Sequence, residues 1–243
     1  MTAPLAGRRA WVTGAGTGIG EASAVALAQA GAHVVLTGRR ADRIEAVRAR
    51  IQASGGSAQV LAADVTDPAQ VEAATAALRR DGGGLDLLVN NAGTNIPNRS
   101  WSELTASAVD ELVDANLRAA LHVSRAVLPW MRETGGGLLV HIASWAAYVI
   151  SEGPGPVYTA AKSGLVAMSR TINLEHNRDG IRSCALSPGD VHTPLMDQRP
   201  VPMSDEAKSR MLRPDDIAKL VLQLATLPPH VCVNEIVVGP TFR

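Results

Sequence analysis

The sequence predicts an α/β fold: a doubly wound, seven-stranded parallel sheet with helices on both faces, formed as a single domain over residues 1–243. Short aliphatic runs alternate with longer stretches of helical periodicity, and most of the connections between them are short. Strands that alternate with helices form βαβ units, which predicts a parallel sheet covered on both faces. The composition, with 46% hydrophobic and 19% charged residues, excludes a disordered chain.

The first half of the chain is predicted to contain four strands and three helices. The strands are predicted at 10–13, 33–37, 58–62 and 85–89, and the helices at 19–30, 41–53 and 68–80. Gly31 is placed to end the first helix, and Asp67 followed by Pro68 is typical of a helix start.

The second half of the chain is predicted to complete the sheet. Helices are predicted at about 102–115 and 117–133, a strand at 138–142, a helix at 157–176, a strand at 182–186, a helix at 214–225 and a last strand at 235–238. Pro129 is expected to kink the second of these helices. Residues 188–213 contain no predicted element, and a loop of this length is expected to act as a substrate-binding lid.

Charge and composition narrow the range of functions. Lys and Arg number 23, as do Asp and Glu, so the chain has no electrostatic reason to bind nucleic acid or an acidic membrane. Two cysteines favour a reducing, cytoplasmic compartment. No apolar stretch is long enough to span a membrane, and the N-terminus lacks the apolar segment of a signal peptide. The six histidines lack the spacing of metal ligands, so no metal site is expected.

A glycine-rich loop lies between the first predicted strand and the first predicted helix, where a dinucleotide pyrophosphate would bind. Glycines let the backbone approach phosphates, and the helix N-terminus supplies free N–H groups. The spacing differs from the common G-x-G-x-x-G pattern, so a glycine-rich turn without a ligand is the alternative. The predicted phosphate-binding residues are Gly14, Gly16, Thr17, Gly18, Ile19 and Gly20.

The end of the second predicted strand indicates which dinucleotide would bind. An NAD site normally has an acidic residue there, whereas this chain has Arg39 and Arg40. A guanidinium would pair with the 2′-phosphate of NADP, so NADP is predicted as the cofactor, with NAD as the alternative. The plain interpretation of both arginines is a solvated helix start.

A tyrosine and a lysine form the predicted catalytic pair. Tyr158 and Lys162 are four residues apart and share one face of a helix. A free tyrosine is a poor base at neutral pH, but a nearby cation would lower its pKa. Ser144 follows the strand at 138–142 and could donate a hydrogen bond to a substrate carbonyl at the same edge of the sheet. A surface Tyr–Lys pair and a serine that only caps a turn are the alternatives.

In their order along the chain, these motifs resemble those of the short-chain dehydrogenase/reductase family, over essentially the whole length. The resemblance implies a Rossmann-like fold. Besides the glycine loop with Thr13, the matching residues are Asp64, Val65, Asn90, Asn91, Ala92, Gly93, Asn116, Ser144, Tyr158, Lys162, Pro188, Gly189, Val191 and Thr193. The implied cofactor contacts among them are Asp64, Val65, Asn91, Ala92, Gly93, Tyr158, Lys162, Pro188, Gly189, Val191 and Thr193.

The resemblance implies an NADP-dependent alcohol dehydrogenase or carbonyl reductase, and it assigns roles to four residues. Tyr158 would exchange a proton with the substrate oxygen, and Lys162 would lower the tyrosine pKa and hold the nicotinamide ribose. Ser144 would polarise the carbonyl, and Asn116 would hold a water that links Lys162 to solvent. On its own, Asn116 could simply satisfy a carbonyl freed at a helix kink, and Asp64 could only brace a turn.

The substrate side of the cleft is expected to be mostly apolar, which suits a small ketone or secondary alcohol. The predicted substrate contacts are Thr94, Asn95, Ser144, Trp145, Tyr158, His192 and Met196. His192 could instead be solvated. No arginine is obviously placed to bind a substrate carboxylate; Arg99 and Arg199 are candidates, and the sequence does not rank them.

The resemblance also implies that long helices rich in small residues pack between subunits, which predicts a homodimer or homotetramer. The alternative is that these helices pack only on the sheet. Three other functions stay open: an NAD-linked dehydrogenase, a regulator that binds NADP without turnover, and an epimerase or dehydratase of the same superfamily. The last group usually carries an extra substrate domain, for which 243 residues leave no room.

Overall fold

The computed structural model describes residues 3–241, which contain one seven-stranded sheet. Every pair of neighbouring strands is parallel, in the order β3-β2-β1-β4-β5-β6-β7. The strands are β1 (Arg9–Thr13), β2 (His33–Thr37), β3 (Ser57–Val60), β4 (Leu87–Asn90), β5 (Gly137–Ile142), β6 (Ile181–Pro188) and β7 (Glu235–Val238). The predicted fold class is confirmed, with shifts of one or two residues at several strand ends.

Helices cover both faces of the sheet. They are α1 (Gly18–Gln29), α2 (Ala41–Ala53), α3 (Pro68–Arg80), α4 (Ala106–Val113), α5 (Ala119–Glu133), α6 (Pro156–His176), α7 (Asp205–Ser209) and α8 (Pro214–Thr226). On one face α1, α2 and α8 contribute Leu27, Ile44 and Val221 to a buried apolar cluster. On the other face α3, α5 and α6 contribute their own cluster, which includes Val123 and Leu165. The two clusters explain why the strands read as aliphatic runs, since their side chains are buried on both sides.

The two helices predicted at 102–115 and 117–133 are present as α4 and α5, but the first begins at Ala106 and the expected break between them is absent. Thr105 starts α4, because the Thr105 Oγ1 accepts a hydrogen bond from the Ala108 N–H at 3.2 Å. A π-helical turn, Asp114–Arg118, then joins α4 to α5 without a break. A π turn has a wider ring of hydrogen bonds than an α turn and keeps the backbone paired where the periodicity suggests an interruption. Pro129 lies inside α5.

The long segment at 188–213 has structure of its own. It contains a 3₁₀ turn, Pro194–Gln198, and the short helix α7. A parallel bridge between Val191 and Leu212 brings its two ends together. The His192 N–H donates to the Leu212 carbonyl at 2.8 Å, and the Leu212 N–H donates to the Asp190 carbonyl at 3.0 Å. The two ends of the segment are therefore held together by backbone hydrogen bonds. None of the helices within residues 3–241 has the length and apolar character needed to cross a membrane.

Candidate active site

A cleft opens at the carboxyl ends of β1 and β4, which are neighbours in the sheet although two strands separate them in the chain. The chain leaves this pair towards opposite edges of the sheet, and ligands of open α/β sheets bind at such a point. The cleft has a volume of about 850 Å³. All predicted site residues except Gly20 and His192 line it.

The glycine loop has the conformation that phosphate binding requires. Gly14 and Gly18 have φ angles of 62° and 59°, in the left-handed region that favours glycine. Thr17 stands at the N-cap of α1, and its side chain makes no capping hydrogen bond. By contrast, Asp67 caps α3 and Thr105 caps α4. The α1 N-terminus therefore borders the cleft with no side-chain hydrogen bond from its N-cap residue, which leaves its first N–H groups available to an anion.

Gly20 has a packing role, which differs from the predicted phosphate contact. It is buried in the first turn of α1 and lies outside the cleft lining. A Cβ at this position would overlap the Gly14 carbonyl and lie 2.5 Å from the Asn91 Nδ2. Only glycine therefore lets the loop fold back on its helix.

Asn91 joins the β1 loop to the β4 loop. Its Nδ2 donates to the carbonyls of Thr13 and Gly14, both at 3.1 Å. In return, the Thr13 Oγ1 accepts from the N–H groups of Asn91, at 3.0 Å, and Ala92, at 3.2 Å. These bonds hold the two halves of the cleft floor in register, and they use the Asn91 amide for positioning.

Three arginines line the cleft beyond the end of β2. Arg39 and Arg40 were predicted, and Arg43, in the first turn of α2, was missed. All three are exposed. The strand ends with Thr37 and Gly38, so no acidic side chain stands where an NAD site normally has one. This arrangement fits a group of negative charge next to the adenosine ribose, such as a 2′-phosphate.

Asp64 and Val65 also line the cleft, at the end of the loop after β3. The Asp64 Oδ1 accepts from the Thr66 N–H at 3.0 Å and from the Thr66 hydroxyl at 2.8 Å. Asp64 thus braces a turn, as the plainer interpretation of the sequence suggested, while it also borders the cleft.

Tyr158, Lys162 and Ser144 meet across the cleft. Helix α6 begins directly after Gly155, whose φ of 80° turns the chain, and it carries Tyr158 and Lys162 on one face. The Lys162 Nζ lies 5.5 Å from the centre of the Tyr158 ring and donates to the Ile142 carbonyl at 2.9 Å. Ser144 follows β5, hydrogen-bonds Tyr158 and accepts from the Ala146 N–H at 3.2 Å. The serine therefore caps a turn and faces the tyrosine at once.

Burial shifts both titrating groups towards their neutral forms. It raises the pKa of Tyr158 above its ordinary value, while a hydrogen bond with Ser144 and the charge of Arg99 act in the opposite direction. Burial also lowers the pKa of Lys162 to about 8. Contrary to the sequence-based expectation, the net shift of the tyrosine pKa is upward, and the cation that opposes it is Arg99.

Asn116 lies in the π turn and reaches the cleft floor. Its Nδ2 donates to the carbonyls of Leu112, at 2.9 Å, and Thr94, at 2.8 Å, and its Oδ1 accepts from the Thr94 N–H at 3.2 Å. The asparagine does satisfy a helix carbonyl, and it also fixes the loop after β4. A Cβ on Gly93 would lie 2.8 Å from the Asn116 Oδ1 and 3.4 Å from the Lys162 Nζ, so this glycine keeps the space between them open.

The structure brings most of the predicted substrate contacts together. Thr94, Asn95, Trp145 and Met196 line the cleft beside Ser144 and Tyr158. The buried Asn95 ties two loops, since its Nδ2 donates to the Pro154 carbonyl at 3.0 Å and its Oδ1 accepts from the Ile96 N–H at 2.9 Å.

His192 is not brought into the cleft, and its predicted substrate contact is corrected. The chain is extended at the base of the lid, so successive side chains alternate in direction. Val191 is buried and Thr193 lies over the glycine loop, with its Cγ2 3.1 Å from where a Gly18 Cβ would stand. The intervening His192 is exposed.

Arg99 and Arg199, which the sequence could not rank, both line the substrate end of the cleft. Arg99 is buried, and Arg199 pairs with Asp190. Within residues 3–241, no group of three or more His, Cys, Asp or Glu side chains is placed to hold a metal ion.

Comparisons with known proteins agree with this geometry. The family model described as short chain dehydrogenase matches residues 8–202. An uncharacterised oxidoreductase of Staphylococcus aureus (strain USA300) is 34% identical over 239 residues, covering 97% of this chain and 98% of the relative. A metagenomic short-chain oxidoreductase solved in complex with NADP is 31% identical with a TM-score of 0.85, covering 99% of this chain and 100% of that one. The alcohol dehydrogenase of the archaeon Thermococcus sibiricus, complexed with 5-hydroxy-NADP, is 30% identical with a TM-score of 0.86, covering 97% of each chain.

Proposed function

Because this chain belongs to the short-chain dehydrogenase family and is an oxidoreductase, we propose that it interconverts a small ketone and the corresponding secondary alcohol with NADP as cofactor. The arrangement of Tyr158, Ser144 and Lys162 in the same cleft as an uncapped glycine loop carries this proposal. A proton donor and a dinucleotide site side by side are the two parts that carbonyl reduction requires.

Tyr158 is the proton donor when the carbonyl is reduced. When bound, the nicotinamide supplies or accepts the hydride. Because burial raises the Tyr158 pKa, the phenol is protonated at neutral pH and can donate its proton to the oxygen that gains charge. The hydroxyl of Ser144, which hydrogen-bonds Tyr158, is placed to orient the same oxygen.

Lys162 and Asn116 support the tyrosine. The Lys162 ammonium lies beneath the Tyr158 ring and would hold the ribose hydroxyls of the cofactor, which gives a partner to a buried cation. Asn116 is proposed to hold a water that returns protons to Lys162, and the space kept open by Gly93 between the two side chains supports this role.

The predicted cofactor, NADP, is consistent with the family and with the two relatives solved with NADP and 5-hydroxy-NADP. The preference over NAD is supported by Arg39, Arg40 and Arg43, because three guanidinium groups at the end of β2 favour a 2′-phosphate. The remaining predicted cofactor contacts line the cleft as proposed, from Asn91 to Gly93 on its floor and from Pro188 to Thr193 at the lid.

We further propose a single catalytic domain whose segment 188–213 closes over the substrate, and a homo-oligomer that works in the cytoplasm. Thr193 over the glycine loop supports the lid. Leu121 on α5 and Leu174 on α6 are exposed, which supports packing of these helices on a second copy. One small residue of α6, Gly164, packs within the chain, since a Cβ on it would lie 3.1 Å from Leu117.

The test compares a panel of ketones and alcohols with NADPH and NADH, following the absorbance of the reduced nicotinamide. Tyr158→Phe is expected to lower kcat/KM by about 100- to 10,000-fold, the usual range for a lost general acid. Tyr148→Phe is the matched control, because the other tyrosine bonds Glu235 at 2.6 Å outside the cleft lining. If NADPH binds but no carbonyl compound is reduced, the chain is a regulator and the proposal fails.

A further inference from the structure

Arg99 is a buried cation that pairs with no acidic side chain of residues 3–241. It lies in the loop between β4 and α4, with 6% of its surface exposed. Its Nε is buried without a hydrogen-bond partner, and no side chain between residues 3 and 241 forms an ion pair with it. Burying a guanidinium costs several kcal/mol unless an anion or several acceptors compensate. Burial accordingly lowers the pKa of Arg99.

The loop that carries Arg99 is fixed to the start of helix α6. A Cβ on Gly155 would lie 2.7 Å from the Arg99 carbonyl and 3.1 Å from its Cβ and Cγ, so the stem of the arginine packs against the residue before α6. The bond from Asn95 to the Pro154 carbonyl ties the same two loops together. The guanidinium is thereby held near Tyr158, close enough for each charge to shift the pKa of the other.

A second arginine faces the same space from the lid. Arg199 follows the 3₁₀ turn of the lid, and its charge lowers the pKa of Arg99, so the two cations repel each other. Of the two, only Arg199 has a carboxylate partner, Asp190. The other acidic residue of the cleft lining, Asp64, lies at the far side of the cleft, after β3. The substrate end therefore carries an excess of positive charge.

From this pair of arginines we infer that the substrate is a carboxylic acid, with the ketone or alcohol at Tyr158 and the carboxylate on Arg99, where Arg199 closes over it. This inference rests on the proposed function and names its substrate class, an oxo acid and the matching hydroxy acid. The carbonyl carbon gains a hydride from NADPH, which becomes NADP⁺, and the oxygen gains the Tyr158 proton. The substrate carboxylate is unchanged by the reaction. It forms a bidentate pair with Arg99, for which residues 3–241 provide no acidic partner.

Another role for Arg99 predicts different kinetics. If the arginine served only to lower the Tyr158 pKa, its loss would lower kcat for every substrate and move the pH profile. A carboxylate-binding arginine acts on acids alone, mainly through KM, since the charge is absent from neutral substrates.

The experiment uses pairs of oxo acids and their methyl esters with NADPH. The wild-type enzyme is expected to favour the acid of its best pair, and Arg99→Met is expected to lower the acid-to-ester ratio of kcat/KM about 10- to 100-fold. Arg99→Lys should restore part of the ratio, because a point charge lacks the bidentate geometry. Arg210→Met is the control, since Arg210 pairs with Glu206 in the same lid but lies outside the cleft lining.

The outcomes separate this inference from the proposed function. If the wild type reduces ketones but does not favour acids over esters, the inference is overturned and the oxidoreductase proposal stands. The inference also fails if Arg99→Met lowers both rates equally and shifts the pH profile. If no carbonyl compound of either kind is reduced, the proposed function itself fails. Titration with NADPH, followed by nicotinamide fluorescence, shows that each variant is folded.

Discussion

At the scale of single residues, the cofactor preference depends on a few charges at the end of β2. Arg39 is exposed at the cleft and has no acidic neighbour on the strand end, where a carboxylate would bind the ribose of NAD. A charged hydrogen bond to a 2′-phosphate is worth about 1.5 to 3 kcal/mol. The loss of one such bond sets how far a single arginine substitution can shift the preference for NADP over NAD.

Arg39→Asp is therefore expected to lower the ratio of kcat/KM for NADPH to that for NADH by at least about 10-fold, because it removes a donor and adds repulsion. Steady-state kinetics with both cofactors measure the ratio. Arg48→Ser is the control, since Arg48 lies on α2, the helix that follows Arg39, but pairs with Glu45 away from the cleft. An unchanged ratio in the Arg39 variant would mean that the arginines are only a solvated helix start.

The sequence indicates some of these charges and hides others. Arg43 lies in the first turn of α2, four residues after Arg39, so the predicted helix start at 41 already indicated that it is close to the cleft. Arg99 was a candidate that could not be ranked above Arg199, because an arginine in a loop is solvated unless tertiary contacts bury it. The predicted substrate contact of His192 was wrong for a related reason. The direction of this loop side chain depends on the bridge between Val191 and Leu212, which a local pattern does not reveal.

At the scale of elements, the glycine loop depends on its fit to the first turn of α1. Gly20→Ala would push the Gly14 carbonyl and the Asn91 amide, and neither is the free end of a flexible side chain. We expect the free energy of unfolding to fall by about 1 to 3 kcal/mol, although alanine favours a helix by about 1 kcal/mol. NADPH affinity should fall as well, at least about 10-fold, since the loop is displaced.

Gly55→Ala is the control, because it separates the steric overlap expected at Gly20 from the general cost of replacing a glycine. Gly55 has a φ of 78° and open space around it, so alanine there is strained but meets no neighbour. Urea unfolding and NADPH titration of both variants are the measurements. Equal NADPH affinity in Gly20→Ala and Gly55→Ala would contradict the packing role of Gly20.

The elements themselves were predicted well wherever one local signal dominates. The aliphatic strands and the Asp67–Pro68 start of α3 are of this kind, and their bounds agree to within a few residues. The junction between α4 and α5 was not predicted, because a π turn has no distinct composition. It is stabilised by tertiary bonds, such as those between Asn116 and Thr94, that no short window of sequence contains.

At the scale of the whole molecule, the sheet is joined through its centre by a buried histidine. His141 on β5 is fully buried, and its Nδ1 lies 3.2 Å from the Asn90 Nδ2 on β4 and its Nε2 3.1 Å from the Ser183 Oγ on β6. Since the Asn90 amide donates, Nδ1 accepts and Nε2–H donates to the serine. The ring is therefore neutral, and burial lowers the pKa of His141 to about 3.

The stability of the whole chain should therefore fall in acid. Between the unfolded pKa of 6.5 and the folded pKa of about 3, the unfolded chain binds a proton that the folded chain excludes. The free energy of unfolding thus falls as the pH falls through this window, by about 2 to 3 kcal/mol at pH 4.5. His141→Asn removes the titrating group, so urea unfolding at pH 7.5 and 4.5 should show a smaller difference. Parallel pH curves for the two proteins would contradict the assignment.

The π turn at Asp114–Arg118 has a consequence for how the gene tolerates insertions and deletions. Each helical residue advances the chain by about 100° around the axis, and the wider turn accommodates the surplus residue without rotating α4 against α5. Losing one codon there would swing Val123 and Val127 out of the apolar cluster, or swing Asn116 away from the cleft floor. The exposed Gly82 and Gly83 would absorb the same loss, so reading-frame-preserving changes should accumulate in that connection and be excluded from 114–118.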